Sequence, residues 1–174
     1  MRPLEIAPKD KLGLEILEIL YSKLLLNELM PESESSLDNL RTMKLAHALH
    51  DDIVLRLCKL TDRSRRSNGA RAIFRKLRRF SKNGDHVRQI KRALDHLVSF
   101  TAILEPYRNA RIAHICERSL HATTPLPRIG GAIEAAVALV DVLTETRNEY
   151  RILDLDLRVA ILGEAERPDT SLTL

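Results

Sequence analysis

The chain has 174 residues, of which 44% are hydrophobic, 30% are charged and only 3% are aromatic, and its formal net charge is +4. This composition is that of a globular protein with a core of ordinary size, and it excludes an intrinsically disordered chain. Because aromatic residues are scarce, Leu, Ile, Ala and Val must build the core, which favours packed helices over a β-sandwich. The same scarcity argues against a sheet that stacks RNA bases on aromatic side chains.

Hydrophobic residues at three- and four-residue spacing predict one all-α domain, a bundle of about five to six helices over residues 10–163. Residues 1–9 are predicted to be a loose N-terminal arm, and residues 164–174 a frayed tail. Pro31 and turn residues around Gly69 and Gly84 mark helix ends. The predicted helices run over residues 10–30, 36–62, 70–81 and 85–120, and from 127 to beyond 143.

Local chemistry refines these helix ends. Ser36 and Asp85 are predicted N-caps, and Pro127 suits the first turn of the last long helix. Pro106 must kink or restart the fourth helix, because proline lacks the N–H group and clashes with the preceding turn. Residues 151–161 fit both a strand and a helix; a lone strand would have no pairing partner in a bundle, so we predict a helix.

The two cysteines, Cys58 and Cys116, lie in apolar helical stretches and are predicted to be buried thiols rather than a disulfide. No signal segment opens the sequence, and no apolar run approaches the roughly 18 residues that a membrane-spanning helix requires. We therefore expect a cytoplasmic protein without a membrane-embedded part.

Positive charge is concentrated in one part of the chain. Between Arg56 and Arg92 there are fourteen basic and two acidic residues, whereas the rest of the chain has fourteen basic and twenty-two acidic residues. Such a stretch attracts polyanions, and its excess of Arg over Lys suits bidentate contacts with phosphate. The alternatives are a surface kept for solubility, or one that pairs with the acidic region of a second copy. The predicted RNA contacts in this stretch are Arg63, Arg65, Arg66, Arg71, Arg75, Arg78 and Arg79.

The segment 107–114 has the sequence YRNARIAH and follows Pro106 directly. It contains Arg108, Asn109 and His114 in the pattern Arg-Asn-x4-His. An Arg and a His at this spacing arise by chance, and the chain has another such pair at positions 41 and 47. An Asn directly after the Arg makes the pattern much more specific.

This motif resembles the signature of the HEPN superfamily, whose members are small helical bundles and include many metal-independent endoribonucleases. The residues of the motif are most similar to those of the AbiU-type abortive-infection branch, as is the end of the second helix at residues 60–62. The resemblance implies a HEPN-like bundle and a toxin-like or phage-defence effector that needs no metal and no cofactor. It also implies a homodimer with the active site at the dimer interface, and it leaves room for a neutralising antitoxin.

The chemistry implied by this resemblance uses the 2′-hydroxyl of RNA as the nucleophile and leaves a 2′,3′-cyclic phosphate and a 5′-hydroxyl. His114 can exchange protons near neutral pH, and Arg108 can bind the phosphate oxygens while it stays charged. Asn109 can hold a phosphate oxygen or orient the histidine, and Arg111 is a candidate second phosphate contact. Six residues of α-helix rotate by about 600°, so Arg108 and His114 would lie about 120° apart, and two copies of the motif in a dimer would complete the site.

His114 has a second interpretation, as a packed core or interface histidine, because Ile103, Tyr107 and Ala110 share its helical stripe. Tyr107 itself is predicted to pack rather than to act in catalysis. Some HEPN toxins carry a Tyr two positions after the His, where a partner enzyme modifies them. Cys116 occupies that position here, so control by that route is not expected.

Alternatives to an RNA-cleaving enzyme remain open. His47, His50 and Asp51 share a helical face and could bind a metal, but no matching pair on another helix completes such a site, and none is predicted. A non-catalytic RNA-binding or protein-interaction module would keep the fold and the basic stretch. A helical scaffold that pairs this stretch with an acidic protein would have no affinity for RNA.

Overall fold

The structure of the protein, a computed structural model, describes residues 8–29, 36–62, 69–80, 83–112 and 126–163. These residues are mostly helical, with one small hairpin and short connecting segments, which confirms the predicted all-α class. Residues 1–7 of the predicted arm and the predicted tail at 164–174 lie outside the described residues. In chain order the elements are α1 (Pro8–Leu29), α2 (Ser36–Leu60), α3 (Ala70–Phe80), α4 (Gly84–Tyr107), a π-helical turn (Arg108–Ile112), α5 (Gly130–Thr144), β1 (Arg151–Ile152), β2 (Leu155–Asp156) and α6 (Leu157–Leu162).

α5 is the most completely buried helix, and it packs against α4 and α1. Its sequence is nearly all apolar, and Ile133, Leu139 and Leu143 are removed from solvent. A helix that is apolar on all sides is expected in the centre of a bundle, where each fully buried Leu or Ile contributes about 1.5–3 kcal/mol. None of the helices in the described ranges combines the length and the hydropathy needed to cross a bilayer.

α2 packs along α1. Apolar spacing alone would place Leu45 on the same packed face as Ile53 and Leu57, but Leu45 is 51% exposed. The observed stripe runs through Ala46, His50, Ile53 and Leu57 at intervals of three and four residues. Because one of its members is a histidine, a search for apolar spacing alone does not find this face.

The starts of three helices differ from the predictions. α1 begins at Pro8, in what was predicted to be the loose arm. α4 is capped by Asn83, whose side-chain oxygen accepts hydrogen bonds from the backbone N–H groups of Asp85 and His86 at 3.1 Å each. The predicted cap Asp85 therefore lies inside the first turn. Pro127 precedes α5, which begins at Gly130.

Residues 151–156 form a hairpin, so the helix predicted for this part was wrong. β1 and β2 pair antiparallel through Arg151 with Asp156, across a turn in which Leu153 has a φ of 54°. The prediction had assumed that a strand here would have no partner. The two strands instead pair with each other, since a short turn within the same segment joins them. Asp156 then caps α6 by accepting hydrogen bonds from the N–H groups of Arg158 and Val159, and residues 157–161 are helical as predicted.

A buried ion pair joins the end of α5 to α6. The Arg158 guanidinium lies 2.7 Å from the Asp141 carboxylate, and both side chains are largely buried. Asn148 donates to the same carboxylate through its backbone and its side chain, at 2.8 and 3.0 Å. The carboxylate thus has several donors, as a buried charge requires, and this end of the bundle is fixed around it.

The observed cap of α4 can be tested by mutation. Asn83→Ala removes the acceptor for two backbone N–H groups and should lower the free energy of unfolding by about 1 kcal/mol. Asp85→Asn, at the cap position predicted from the sequence, removes only a charge in the first turn and should lower it less, by about 0.3–0.5 kcal/mol. Urea denaturation followed by circular dichroism measures both. A larger loss for Asp85→Asn than for Asn83→Ala would contradict the assignment.

Candidate active site in the turn after α4

Arg108 and Asn109 lie in the π-helical turn that directly follows α4. The restart predicted as one alternative at Pro106 does not occur, because α4 continues through Pro106 to Tyr107 before the helix type changes. Pro106 has no N–H group to donate to the carbonyl of Ala102, so the hydrogen-bond ladder is already weakened one turn earlier. Short π-helical turns occur frequently at functional sites, because they change the direction of the side chains that follow.

The side chains of Arg108 and Asn109 are bonded to each other. Nε and Nη2 of Arg108 donate to Oδ1 of Asn109 at 3.1 and 2.9 Å. Arg108 is partly buried and Asn109 is exposed. Because the acceptor is a neutral amide, this contact orients the guanidinium without neutralising its charge, and it uses two of five N–H donors. No carboxylate of the described chain forms an ion pair with Arg108.

Tyr107 fixes this turn to α2. Its side chain is 5% exposed, and its hydroxyl donates to Oδ1 of Asp51 at 2.6 Å. Its ring also meets the ring of His50 edge-on, with centroids 5.6 Å apart. The prediction that Tyr107 packs is confirmed, whereas its supposed stripe neighbours Ile103 and Ala110 are exposed.

His50 links the same region to the segment before α5. Its Nε2 lies 2.9 Å from the carbonyl oxygen of Pro127, and since a carbonyl only accepts, Nε2 carries the proton. Burial lowers the pKa of His50, with help from the charges of His47 and Lys23. The hydrogen bond to Pro127 and the charge of Asp51 raise the pKa of His50, but by less than burial lowers it. His50 is therefore a neutral structural histidine in the folded protein.

A cleft of about 420 Å³ borders Arg108 on the α2 side. Two of its basic residues are engaged: Arg56 lies 2.8 Å from Asp52 and 3.1 Å from Glu15, and Lys59 lies 2.5 Å from Glu15. Both had been counted in the basic stretch, so the net charge of this stretch overstates the positive surface. Cys58 is buried beside this cleft, as predicted, and burial raises the pKa of its thiol.

α3 presents the basic surface that remains. Its apolar side packs against α4 and α1 through residues such as Ile73, while Arg75, Lys76, Arg78 and Arg79 are exposed. Lys76, Arg78 and Arg79 form no ion pair within the described ranges. On α4, by contrast, Arg88 pairs with Asp85. Among the described helices, α3 therefore agrees best with the prediction of a positively charged surface.

Arg71 and Arg75 lie where α3 meets α4. Together with Lys91 and Asp95 of α4 they border a small cleft of about 250 Å³. Nε of Arg75 donates to the backbone oxygen of Arg71 at 3.3 Å. This cleft is about 20 Å from Arg108 along α4, at 1.5 Å per residue. The structure thus separates the predicted RNA contacts on α3 from the motif.

Four predicted site residues, His114, Arg63, Arg65 and Arg66, lie outside the described residues, as does Cys116. Arg111 lies in the π-helical turn, and only its backbone is described. The structure therefore brings together Arg108 and Asn109 of the predicted catalytic set.

The alternative metal group is engaged in other bonds. His50 is bonded to Pro127, and Asp51 accepts from Tyr107. Among the residues that the structure describes, no three His, Cys, Asp or Glu side chains gather in a way that could hold a metal ion. Sequence reasoning had placed Asp51 only in this metal group and had missed its bond to Tyr107, for which the sequence offers no local signal.

The structure is a helical bundle with an Arg-Asn pair in the turn after its fourth helix, and both features agree with the resemblance to HEPN proteins. A model of the HEPN family described as AbiU2 matches residues 16–151. The match spans most of the chain, and the protein therefore belongs to the AbiU2 family of HEPN proteins, which is associated with abortive infection. No curated protein and no solved structure matches the chain.

The neutral state of His50 predicts a pH dependence of stability. Because the folded-state pKa is lowered, the unfolded chain takes up this proton first as the pH falls. Stability should be full above about pH 6.5 and decrease below it, by at most about 1.4 kcal/mol per pH unit. Urea midpoints at pH 7.5 and 5.5 measure the slope. His50→Gln, which keeps a donor for Pro127, should flatten it; an unchanged slope would show that other groups dominate.

Proposed function

We propose that the protein is a metal-independent endoribonuclease that cleaves RNA through its own 2′-hydroxyl, and that it acts as a toxin-like or phage-defence effector. The observation that carries this proposal is the Arg108–Asn109 pair. Its guanidinium is held in a fixed orientation by a neutral partner and is not paired with a described carboxylate. Membership of the AbiU2 family supports the same proposal.

In this mechanism Arg108 stabilises the phosphorane. Phosphoryl transfer to the 2′-hydroxyl adds negative charge to the nonbridging oxygens, and a preorganised guanidinium lowers the energy of that state. The two Asn109 bonds reduce the side-chain freedom that would otherwise be lost on binding. In this proposal Asn109 acts by orienting Arg108. This role differs from the one predicted from the sequence, in which Asn109 contacts a phosphate oxygen or orients the histidine.

His114 supplies the proton transfers in the proposal, six residues after Arg108. A neutral imidazole removes the proton of the 2′-hydroxyl, and an imidazolium protonates the leaving 5′-oxygen. These two roles suit two histidines, one from each copy of a dimer. Arg111, in the same turn as Arg108, is proposed as a second phosphate contact.

The basic surface of α3 is proposed to bind the RNA away from the scissile bond. Arg71, Arg75, Arg78 and Arg79, and by extension Arg63, Arg65 and Arg66 of the preceding segment, would contact phosphates and not bases. Such contacts bind RNA without sequence preference and weaken as salt rises. They position the substrate, whereas the turn after α4 carries the chemistry.

A surface beside the motif suits a second copy of the chain. Ala102, Ile103, Pro106 and Ala110 are exposed at three- and four-residue spacing, and Ile103 is 69% exposed. An apolar stripe of this kind on a solvent-facing helix marks a contact surface. Two copies that meet here would bring their Arg108–Asn109 pairs to one interface. An activity of this kind also calls for restraint, which an antitoxin partner would provide.

The activity is tested by incubating the purified protein with total RNA in excess EDTA. The wild-type protein should cleave RNA and leave 2′,3′-cyclic phosphate ends, and His114→Ala should slow cleavage by about 10²–10⁴-fold. His96→Ala, at an exposed histidine of α4 far from the turn, is the matched control and should cleave normally. DNA of the same sequence should stay intact, because it lacks the 2′-hydroxyl.

Other outcomes identify the competing functions. Intact RNA with both proteins, at concentrations where both bind it, would indicate a non-catalytic RNA-binding module. Absence of any RNA binding would indicate the protein-interaction scaffold. Cleavage that stops in EDTA would rule out the metal-independent mechanism.

The dimer surface is tested by placing a charge on it. Ile103→Asp should keep the fold, because the side chain is mostly exposed, and should weaken self-association at least about tenfold by burying an unpaired carboxylate in the interface. Leu153→Asp changes an even more exposed leucine in the hairpin turn and should leave association unchanged. Sedimentation equilibrium measures both. A wild-type monomer, or equal association of the two variants with the wild type, would refute this surface.

A further inference from the structure

A cavity of about 740 Å³ lies between α1, the first half of α2 and the start of α5. Its volume is within the range of small-molecule sites, about 300–1,000 Å³. Leu26, Ala46 and Ile129 form part of its largely apolar wall. The cavity is separate from the cleft beside Arg108, and the proposed ribonuclease mechanism gives it no role.

The charged residues that border this cavity are all basic. Lys23 and Arg128 contribute to the wall, and among the described lining residues there is no Asp or Glu. Neither side chain forms an ion pair with a described carboxylate. Lys23 donates to the neutral oxygen of Asn27 at 2.6 Å, which leaves its charge uncompensated. Because this ammonium group is partly buried, its pKa is lowered, and an anion in the cavity would restore favourable interactions.

The N-terminus of α5 forms another part of the wall, at Gly130 and Gly131. The residue at its N-cap is Ile129, whose side chain has no hydrogen-bond acceptor, and no described side chain caps the helix there. The first backbone N–H groups of a helix have no partner within the helix and carry partial positive charge, so they favour an anion.

His50 supplies an independent polar feature. Its side chain is 4% exposed and lines the cavity, and Nδ1 has no hydrogen-bond partner among the described residues. A buried polar atom without a partner is unfavourable, and a ligand that provides one would be stabilised. Because Nε2 holds the imidazole proton, Nδ1 accepts, and an acid group pairs with it when one proton is bound along with the anion and lies between the acid oxygen and Nδ1.

We propose that this cavity is a binding site for a small apolar acid, a hydrophobic body that bears one carboxylate, sulfonate or phosphate group. The body contacts the apolar wall, and the acid group lies toward Lys23, Arg128 and the start of α5. His50 also contacts the ring of Tyr107, so the bound ligand lies one side chain away from the turn that carries Arg108. The proposal does not depend on ribonuclease activity.

The test uses the full chain and the fluorescence of 8-anilinonaphthalene-1-sulfonate, with octanoate and octanol as competitors. Octanoate should displace the probe at least about tenfold more effectively than octanol, which has the same chain length and no charge. Gly130→Glu places a carboxylate at the start of α5, where an added Cβ would meet no atom within 4 Å. This variant should fold, because an acidic residue suits a helix N-terminus, and should bind the probe at least about tenfold more weakly.

Gly13→Glu is the matched control. An added Cβ at Gly13 also meets no atom within 4 Å, and this residue of α1 does not border the cavity, so probe binding should stay at the wild-type level. Circular dichroism confirms that both variants fold. Arg128→Gln should weaken binding in the same direction as Gly130→Glu.

Three results would overturn the proposal. No saturable probe binding by the wild-type protein would mean that the cavity takes no such ligand. Equal displacement by octanol and octanoate would mean that it does not select an acid. Unchanged binding by folded Gly130→Glu would place the probe elsewhere. Because RNA is absent from these measurements, none of these results bears on the proposed cleavage.

Discussion

The arrangement of the candidate active site depends on one buried side chain, Tyr107. Its hydroxyl binds the Asp51 carboxylate and its ring packs on His50, so the last residue of α4 is fixed to the middle of α2. A hydrogen bond to a charged partner contributes about 1.5–3 kcal/mol to stability. The π-helical turn starts at the next residue, and the Asn109 bonds then orient Arg108 from this fixed point. The Arg108 guanidinium is thus held by contacts that leave its charge available.

The basic residues of the described chain fall into two groups, which their partners distinguish. Arg56 and Lys59 are paired with carboxylates of α1 and α2, and Arg158 is buried against Asp141. These charges hold helices together. Arg78 and Arg79, on the exposed side of α3, make no such pairs in the described chain. A surface of that kind suits RNA phosphates, and it lies apart from the turn in which chemistry is proposed.

α2 connects the features that this family member combines. One side of its middle turn supplies His50 and Asp51 to Tyr107, and His50 also borders the apolar cavity. Its neutral imidazole binds Pro127, just before α5, the most buried helix. His50 therefore contacts the residue before the turn after α4, the cavity and the segment before α5. These three contacts explain why a polar residue occupies the buried stripe of α2.

The helices and the AbiU-type motif were determined by the sequence itself, because helical periodicity, turn residues and short motifs are local patterns. Two local predictions were wrong. The cap of α4 is Asn83 and not Asp85, and residues 151–156 form a hairpin, because each strand finds its pairing partner only a few residues away. Only the tertiary structure decided that Tyr107 binds Asp51, 56 positions away, and that Arg56 pairs with Glu15, 41 positions away. Such contacts depend on how separate helices pack, and a pattern within one helix carries no information about which side chain of another helix will face it.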